Sequence, residues 1–226
     1  RAEGLALWRW LAGRVEDGPD NAGNRWQVAA AVNARFGGVG PCWGRPRSVP
    51  VAGLPERKGD WRAPGGPPAD WPPERRHVEA RERGAKSCWQ MAYAGAVGSQ
   101  ALLGMAGLAR LRARPELAGR VAVWPFETGW SPGRAPAVLA EVYPSMLAGA
   151  VAAARGEGEI LDRAQVRVLA GAYAALDAAG GLGALFGPPP ELSGAALEEA
   201  GREEAWILGR DHKAALGAAL ATAAPG

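Results

Sequence analysis

The chain is short of the residues that most often carry chemistry. Among 226 residues it has two cysteines, Cys42 and Cys88, and two histidines, His77 and His212. Two cysteines exclude a disulfide framework and a thiolate metal cluster, and read as two reduced thiols of a cytoplasmic protein. Both histidines sit among charged neighbours, so neither a Ser–His nor a Cys–His nucleophile is supported. No GxSxG elbow, P-loop or GxGxxG fingerprint is present, which removes the usual signals for hydrolases and nucleotide-binding folds. No secretory leader is visible. The uncharged stretch Met91 to Ala109 is mostly Ala and Gly, with Tyr93, Ser99 and Gln100 inside it. That is too weakly apolar for a membrane span and reads as a buried helix.

Aromatics make up 7% of the chain, yet ten of them are Trp. Hydrophobic content of 48% and charged content of 22% are those of a globular protein. The net charge of +3 permits a polyanionic partner without demanding one. The length suits a single domain over residues 1–226. The chain opens at Arg1 inside a helical pattern, so a cut N-terminus is expected; the further strands a stable sheet needs are expected upstream, as N-terminal strands, or in weakly patterned segments of this chain.

Leu5, Leu7, Trp8, Leu11 and Val15 have helical spacing, and a second helix is expected over Trp26 to Phe36. Residues 37–73 are rich in Pro and Gly. Trp43, Trp61 and Trp71 argue that this stretch is an ordered cover loop. From Glu56 to Lys86, basic residues mingle with Trp61, Trp71 and Trp89, but acids nearly cancel the charge, so a solvated cover is the better reading. A short exposed helix carrying a Glu79–Arg83 pair is expected near Pro72 to Lys86. A long Ala/Gly-rich helix follows over Trp89 to Ala113. Strands are expected at Val121 to Phe126 and Val138 to Tyr143. A helix then runs over Arg163 to Ala179, with an apolar face of Val166, Leu169, Ala170, Tyr173 and Leu176. A last helix or pair covers Ala195 to Ala221, with Trp206, Ile207 and Leu208 at its apolar centre. Strands followed by covering helices make an α/β layer, helix-rich and with a small sheet.

Each strand ends in an aromatic-proline step with an acid beside it, Glu127 in one and Glu141 in the other. Neighbouring strand ends lie about 5 Å apart. Two carboxylates at that spacing ionise together only around a cation. A hard ion such as Mg²⁺ or Mn²⁺ takes one or two carboxylates, waters and phosphate oxygens, and can drive phosphodiester hydrolysis. The competing reading has Glu127 capping a turn and Glu141 bonded to Tyr143 or an arginine. In "EDGPDNAGNRW", Asp17, Asp20, Asn21, Asn24 and Arg25 are more polar groups than one helix cap needs. They are candidates for substrate contact, as are Lys86 and Gln90. Ser99 and Gln100 are expected to be satisfied inside the fold rather than to meet a substrate.

"VWPFETGW", "VLAEVYPS" and "EEAWILG" together resemble the DUF429-type proteins, a group predicted to be nucleases with an RNase H-like fold. The likeness extends to "EDGPDNAGNRW" and "YAGAVGSQALLG" and so covers most of the chain. It implies that Glu141 is the strand-end acid and that Glu203 or Glu204 approaches it from the last helix. It also implies a further aspartate on a first strand, expected upstream of Arg1. The combined expectation is an RNase H-like, metal-dependent phosphodiester hydrolase acting on nucleic acid or a nucleotide. Glu141 and Glu204 would hold Mg²⁺ or Mn²⁺, with help from Glu127. The alternative is a non-catalytic ligand-binding or accessory protein whose cover loop closes over a small ligand or a partner.

Overall fold

A computed structural model describes residues 4–59, 61 and 66–223. The chain divides into two compact units, Arg1–Ala118 and Gly119–Gly226.

The first unit is built from short helices joined by long irregular segments. Helix α1 (Gly4–Ala12) turns Leu11 inward, and Val15 follows it into the same core with Val28, Ala29, Cys42, Leu54, Met91, Leu102 and Ala106. Helix α2 (Arg25–Asn33) supplies Val28 and Ala29, and α4 (Gly98–Arg112) supplies Leu102 and Ala106. Helices α1 and α4 pack on each other. The carbonyls left open at the end of α1 are met by Arg110 of α4, which donates to Ala12 O at 2.8 Å and to Val15 O. Between α1 and α2 the chain makes a tight hairpin. Asp17 bridges Gly23, and Asp20 at its tip adopts φ 59.

Helix α2 stops at a buried polar residue. Asn33 donates to Cys42 O at 2.9 Å and to Gly53 O at 2.8 Å, and accepts from Cys42 N–H at 2.7 Å. One side chain thus ties the helix end to two loops. A Cβ on Gly40 would stand 2.3 Å from that of Asn33, and Gly40 has φ +81, so only glycine passes here. Helix α4 starts at Gly98, nine residues later than its hydrophobic run suggests. Tyr93 and Gly95 take φ 76 and 80, and Gln90 pairs in parallel with Trp43 instead. The short helix α3 (His77–Arg81) also differs from expectation. Glu79 is buried and pairs with Arg76 at 2.9 Å, so its partner is not Arg83.

The second unit is helix-rich with a small parallel sheet. Strand β1 (Val121–Val123) pairs with β2 (Ala137–Leu139), Val121 opposite Ala137 and Val123 opposite Leu139. Both are shorter than expected. β1 ends before the cis Trp124–Pro125 bond, because proline has no N–H to continue the ladder. Beyond β2, Glu141 makes one more parallel bridge, to Ile207. Trp124 is buried, stacks edge-on against Trp130 and Phe186, and donates through Nε1 to Phe186 O at 3.2 Å.

Helices α5 (Ala148–Ala154) and α6 (Leu161–Ala178) follow, then α7 (Gly194–Glu199) and α8 (Lys213–Ala223). Helix α6 packs on α5, on α8 and on the 3₁₀ turn Pro144–Leu147. Its buried residues are Ala164, Val168, Leu169 and Ala172, while Val166 is 60% exposed. The expected face is therefore rotated. Small residues at four-residue spacing let neighbours approach, and Leu220 comes within 3.6 Å of where a Gly171 Cβ would be. Among the described residues no helix is long and apolar enough to cross a membrane.

Candidate functional site

The acids of interest lie in the second unit, around the exits of β1, β2 and the turn after α7. At the exit of β1, Glu127 folds back onto the strand. Its carboxylate accepts the Val123 N–H at 2.8 Å, and its own N–H donates to Val123 O at 2.8 Å. The same side of Val123 would otherwise present an unpaired donor and acceptor. Glu127 closes that edge of the sheet as a short strand would. Its carboxylate is engaged in holding β1, which is the turn-capping alternative of the sequence reading.

Glu141 stands two residues beyond β2 and is exposed. Its carbonyl accepts the Leu208 N–H at 2.9 Å, so its backbone is fixed beside the segment that leaves the last acidic run. That segment, Trp206 to Leu208, is not helical: Ile207 makes the bridge and Leu208 enters a turn. Ala205 before it has φ 65 with ψ −176, and Gly209 after it has φ 77, so the chain breaks at both ends. The segment is anchored inside. The Trp206 indole donates to Asp211 Oδ2 at 3.0 Å, and the Tyr173 hydroxyl donates to Leu208 O at 2.7 Å.

Helix α7 runs directly into a π turn, Ala200–Glu204. In an α-helix, residues five apart face different directions. A turn closed by i→i+5 bonds sets them one above the other. A carboxylate oxygen of Glu199 and one of Glu204 accordingly lie within 4.8 Å of each other. Neither Glu141 nor Glu127 joins this pair, and among the described residues no three carboxylates gather at that distance. Glu203, the other acid singled out in this run, is half-buried. Glu199 is the residue sequence reasoning missed. Its signal is a spacing of five, which has no meaning on a regular helix, around Gly201 in the middle of the run.

The remaining candidates belong to the first unit. Asn24 is a strut: its Oδ1 accepts the Glu16 N–H at 2.9 Å and its Nδ2 donates to Arg14 O at 2.8 Å. Asp17 and Asp20 are exposed on the hairpin, and Arg25 is half-buried at the start of α2. The side chain of Asn21 lies outside the described residues. Lys86 is exposed, and its methylenes pass over Gly95. Gln90 spends its amide on Ala92 O at 3.0 Å. Ser99, expected to be satisfied internally, donates to Met91 O at 2.6 Å.

One carboxyl displaced from ordinary acidity lies outside the candidates. Glu159, between α5 and α6, is held at about 2. The cause is first its hydrogen bonds from Arg167, then the Gly156 N–H, with the charges of Arg167 and Arg163 adding. Burial pushes the Cys42 thiol and the Tyr173 hydroxyl upward, which keeps both neutral.

The three segments that carry the resemblance, residues 123–130, 138–145 and 203–209, are joined directly. The β1–β2 pairing links the first two and the Glu141–Ile207 bridge links the third. No protein-family model, curated protein or solved structure matches the chain.

Proposed function

We propose that the second unit is a metal-dependent phosphodiester hydrolase of RNase H-like type, acting on nucleic acid or a nucleotide. One observation carries this reading. The three segments that resemble the DUF429-type proteins form one continuous corner of hydrogen-bonded backbone, with the Glu199–Glu204 pair at its edge. The donor set fits a hard divalent ion. Two glutamate carboxylates supply oxygen ligands, and Mg²⁺ or Mn²⁺ is commonly held by one or two carboxylates with water completing the shell. Such an ion would activate water and shield a leaving phosphate oxygen. Glu199 and Glu204 would hold it, the second being one of the two acids that the resemblance implies. Glu141, whose backbone is bridged to the segment that follows Glu204, would orient the incoming phosphodiester. Glu127 would keep β1 in register.

Manganese titration tests this. Mn²⁺ at a hundredfold its dissociation constant should stabilise the native protein by about 2.7 kcal/mol and raise the melting midpoint. Glu204→Gln and Glu199→Gln should abolish the shift, and Glu141→Gln should reduce Mn²⁺-dependent cleavage of a simple phosphodiester. A midpoint indifferent to Mn²⁺, with no cleavage, would overturn the reading.

A second reading rests on the first unit. An open cleft of about 640 Å³ lies between the end of α2 and the cover loop, lined by Phe36, Val39, Val51, Leu54 and Pro55 with Arg45 and Asn33 among them. It supports a non-catalytic protein that binds a small apolar ligand. An apolar fluorescent probe should then bind without metal, and Ala52→Trp, placed in the cleft wall, should displace it.

A further inference from the structure

The end of α1 carries a cationic and aromatic cluster that plays no part in the acidic corner. The Arg14 guanidinium lies 4.2 Å from the centre of the Trp10 ring, and that of Arg35 lies 5.7 Å from it. Arg14 also donates to Trp10 O at 3.4 Å, which fixes it over the ring. Arg110 reaches the same helix end at Ala12 O and Val15 O. Arg14, Arg35 and Arg110 are all exposed. None of the three pairs with a carboxylate among the described residues. In this they differ from Arg45, Lys58, Arg76, Arg167 and Arg210, each of which is matched by an acid.

Three unneutralised guanidinium groups beside a half-buried indole form a surface with both charge and flat π faces. Carbonyl oxygens hold Arg110 in place but cancel none of its charge. The inner side of Trp10 packs on the core cluster, so little apolar area is offered for insertion into a lipid layer. Guanidinium planes stacked on an aromatic ring are instead suited to unstacked bases, while their N–H groups reach phosphate oxygens.

We propose that Trp10, Arg14, Arg35 and Arg110 form a binding surface for single-stranded nucleic acid. This names a substrate class for the hydrolase reading and rests on that reading for the choice of a nucleic acid among polyanions. Arg14 and Arg35 contact phosphates and stack on bases, Trp10 backs them, and Arg110 adds charge at the helix end.

The test is binding of a labelled 20-nucleotide oligo(dT) by the full chain in EDTA, so that metal binding and cleavage play no part. The parent should bind, with affinity falling as salt rises. Arg14→Ala with Arg35→Ala should weaken binding about tenfold or more and reduce the salt slope by about 1.4, two phosphates at about 0.7 each. Arg57→Ala with Arg83→Ala removes the same charge from exposed arginines elsewhere and should change little. Trp10→Leu, with its folding checked by its melt, should lower the preference for oligo(dT) over an abasic strand about fivefold or more, the scale of one base stack. No binding by the parent, equal losses in the two arginine pairs, or patch-dependent binding to phosphatidylserine vesicles with none to oligo(dT) would each overturn the proposal. Because no metal is present, failure here leaves the Mn²⁺ result standing, and loss of the Mn²⁺ effect leaves this result standing.

Discussion

The two units solve the same problem by opposite means. In Gly119–Gly226 most backbone groups are satisfied within helices, and apolar contacts hold the helices together: α6 on α8, and Trp124 against Trp130 and Phe186. In Arg1–Ala118 long stretches have neither helix nor strand, so side chains reach back to satisfy the carbonyls. Three indoles do this in the cover loop and its border, Trp61 to Pro41 O, Trp71 to Gly37 O and Trp89 to Pro73 O. Arg45 donates to Leu54 O and Val49 O while pairing with Glu56. The lesson concerns what tryptophan is for. In the second unit Trp124 fills an apolar ring cluster as well as donating to Phe186 O; in the first, the indole N–H groups of Trp61, Trp71 and Trp89 reach irregular backbone far away in the chain.

That contrast can be broken experimentally. The largest effect is expected from Trp124→Ala, which removes a buried indole from an apolar cluster and should cost about 3–5 kcal/mol in urea denaturation. Asn33→Ala tests the other mode. It deletes no apolar bulk but strands Cys42 N–H and two carbonyls, and should cost about 2–3 kcal/mol. If it costs less than 1 kcal/mol, the polar ties of the first unit are ornamental and the comparison fails. Ala205→Gly should have the opposite sign. Its φ of 65 is expensive for alanine, so glycine should stabilise the protein by about 1 kcal/mol in the same assay. The smallest effect at neutral pH is expected from Glu159→Gln. The folded carboxyl is held at about 2, below its ordinary value near 4.3, so its contribution is full above about pH 4.3 and is lost as pH falls towards 2. Acid titration should therefore narrow the stability gap between parent and variant across that window.

The elements that were legible in the sequence were those where one local signal dominates. Two strands and helices α1, α2 and α6 follow from the sequence to within a few residues of their bounds, though not the parallel pairing of the strands. Where two signals compete, the reading slipped. Val166 points the expected apolar face of α6 towards itself, whereas the buried stripe is Ala164, Val168 and Ala172 at four-residue spacing, with Leu169 beside it. Trp206, Ile207 and Leu208 are three apolar residues in a row, a run whose period fits helix and strand alike. The positive φ values at Ala205 and Gly209 decide against a helix. At the candidate site, Glu141 and Glu204 were singled out and Glu199 was not. Glu127 was assigned to chemistry on the strength of its place in the chain, but its carboxylate serves the strand it follows.

The π turn makes residue count, rather than residue identity, the property that brings Glu199 and Glu204 together. Straightening the turn at its full length would swing the two acids onto different sides, whereas removing one residue between them would leave them four apart on an ordinary helix and on one face again.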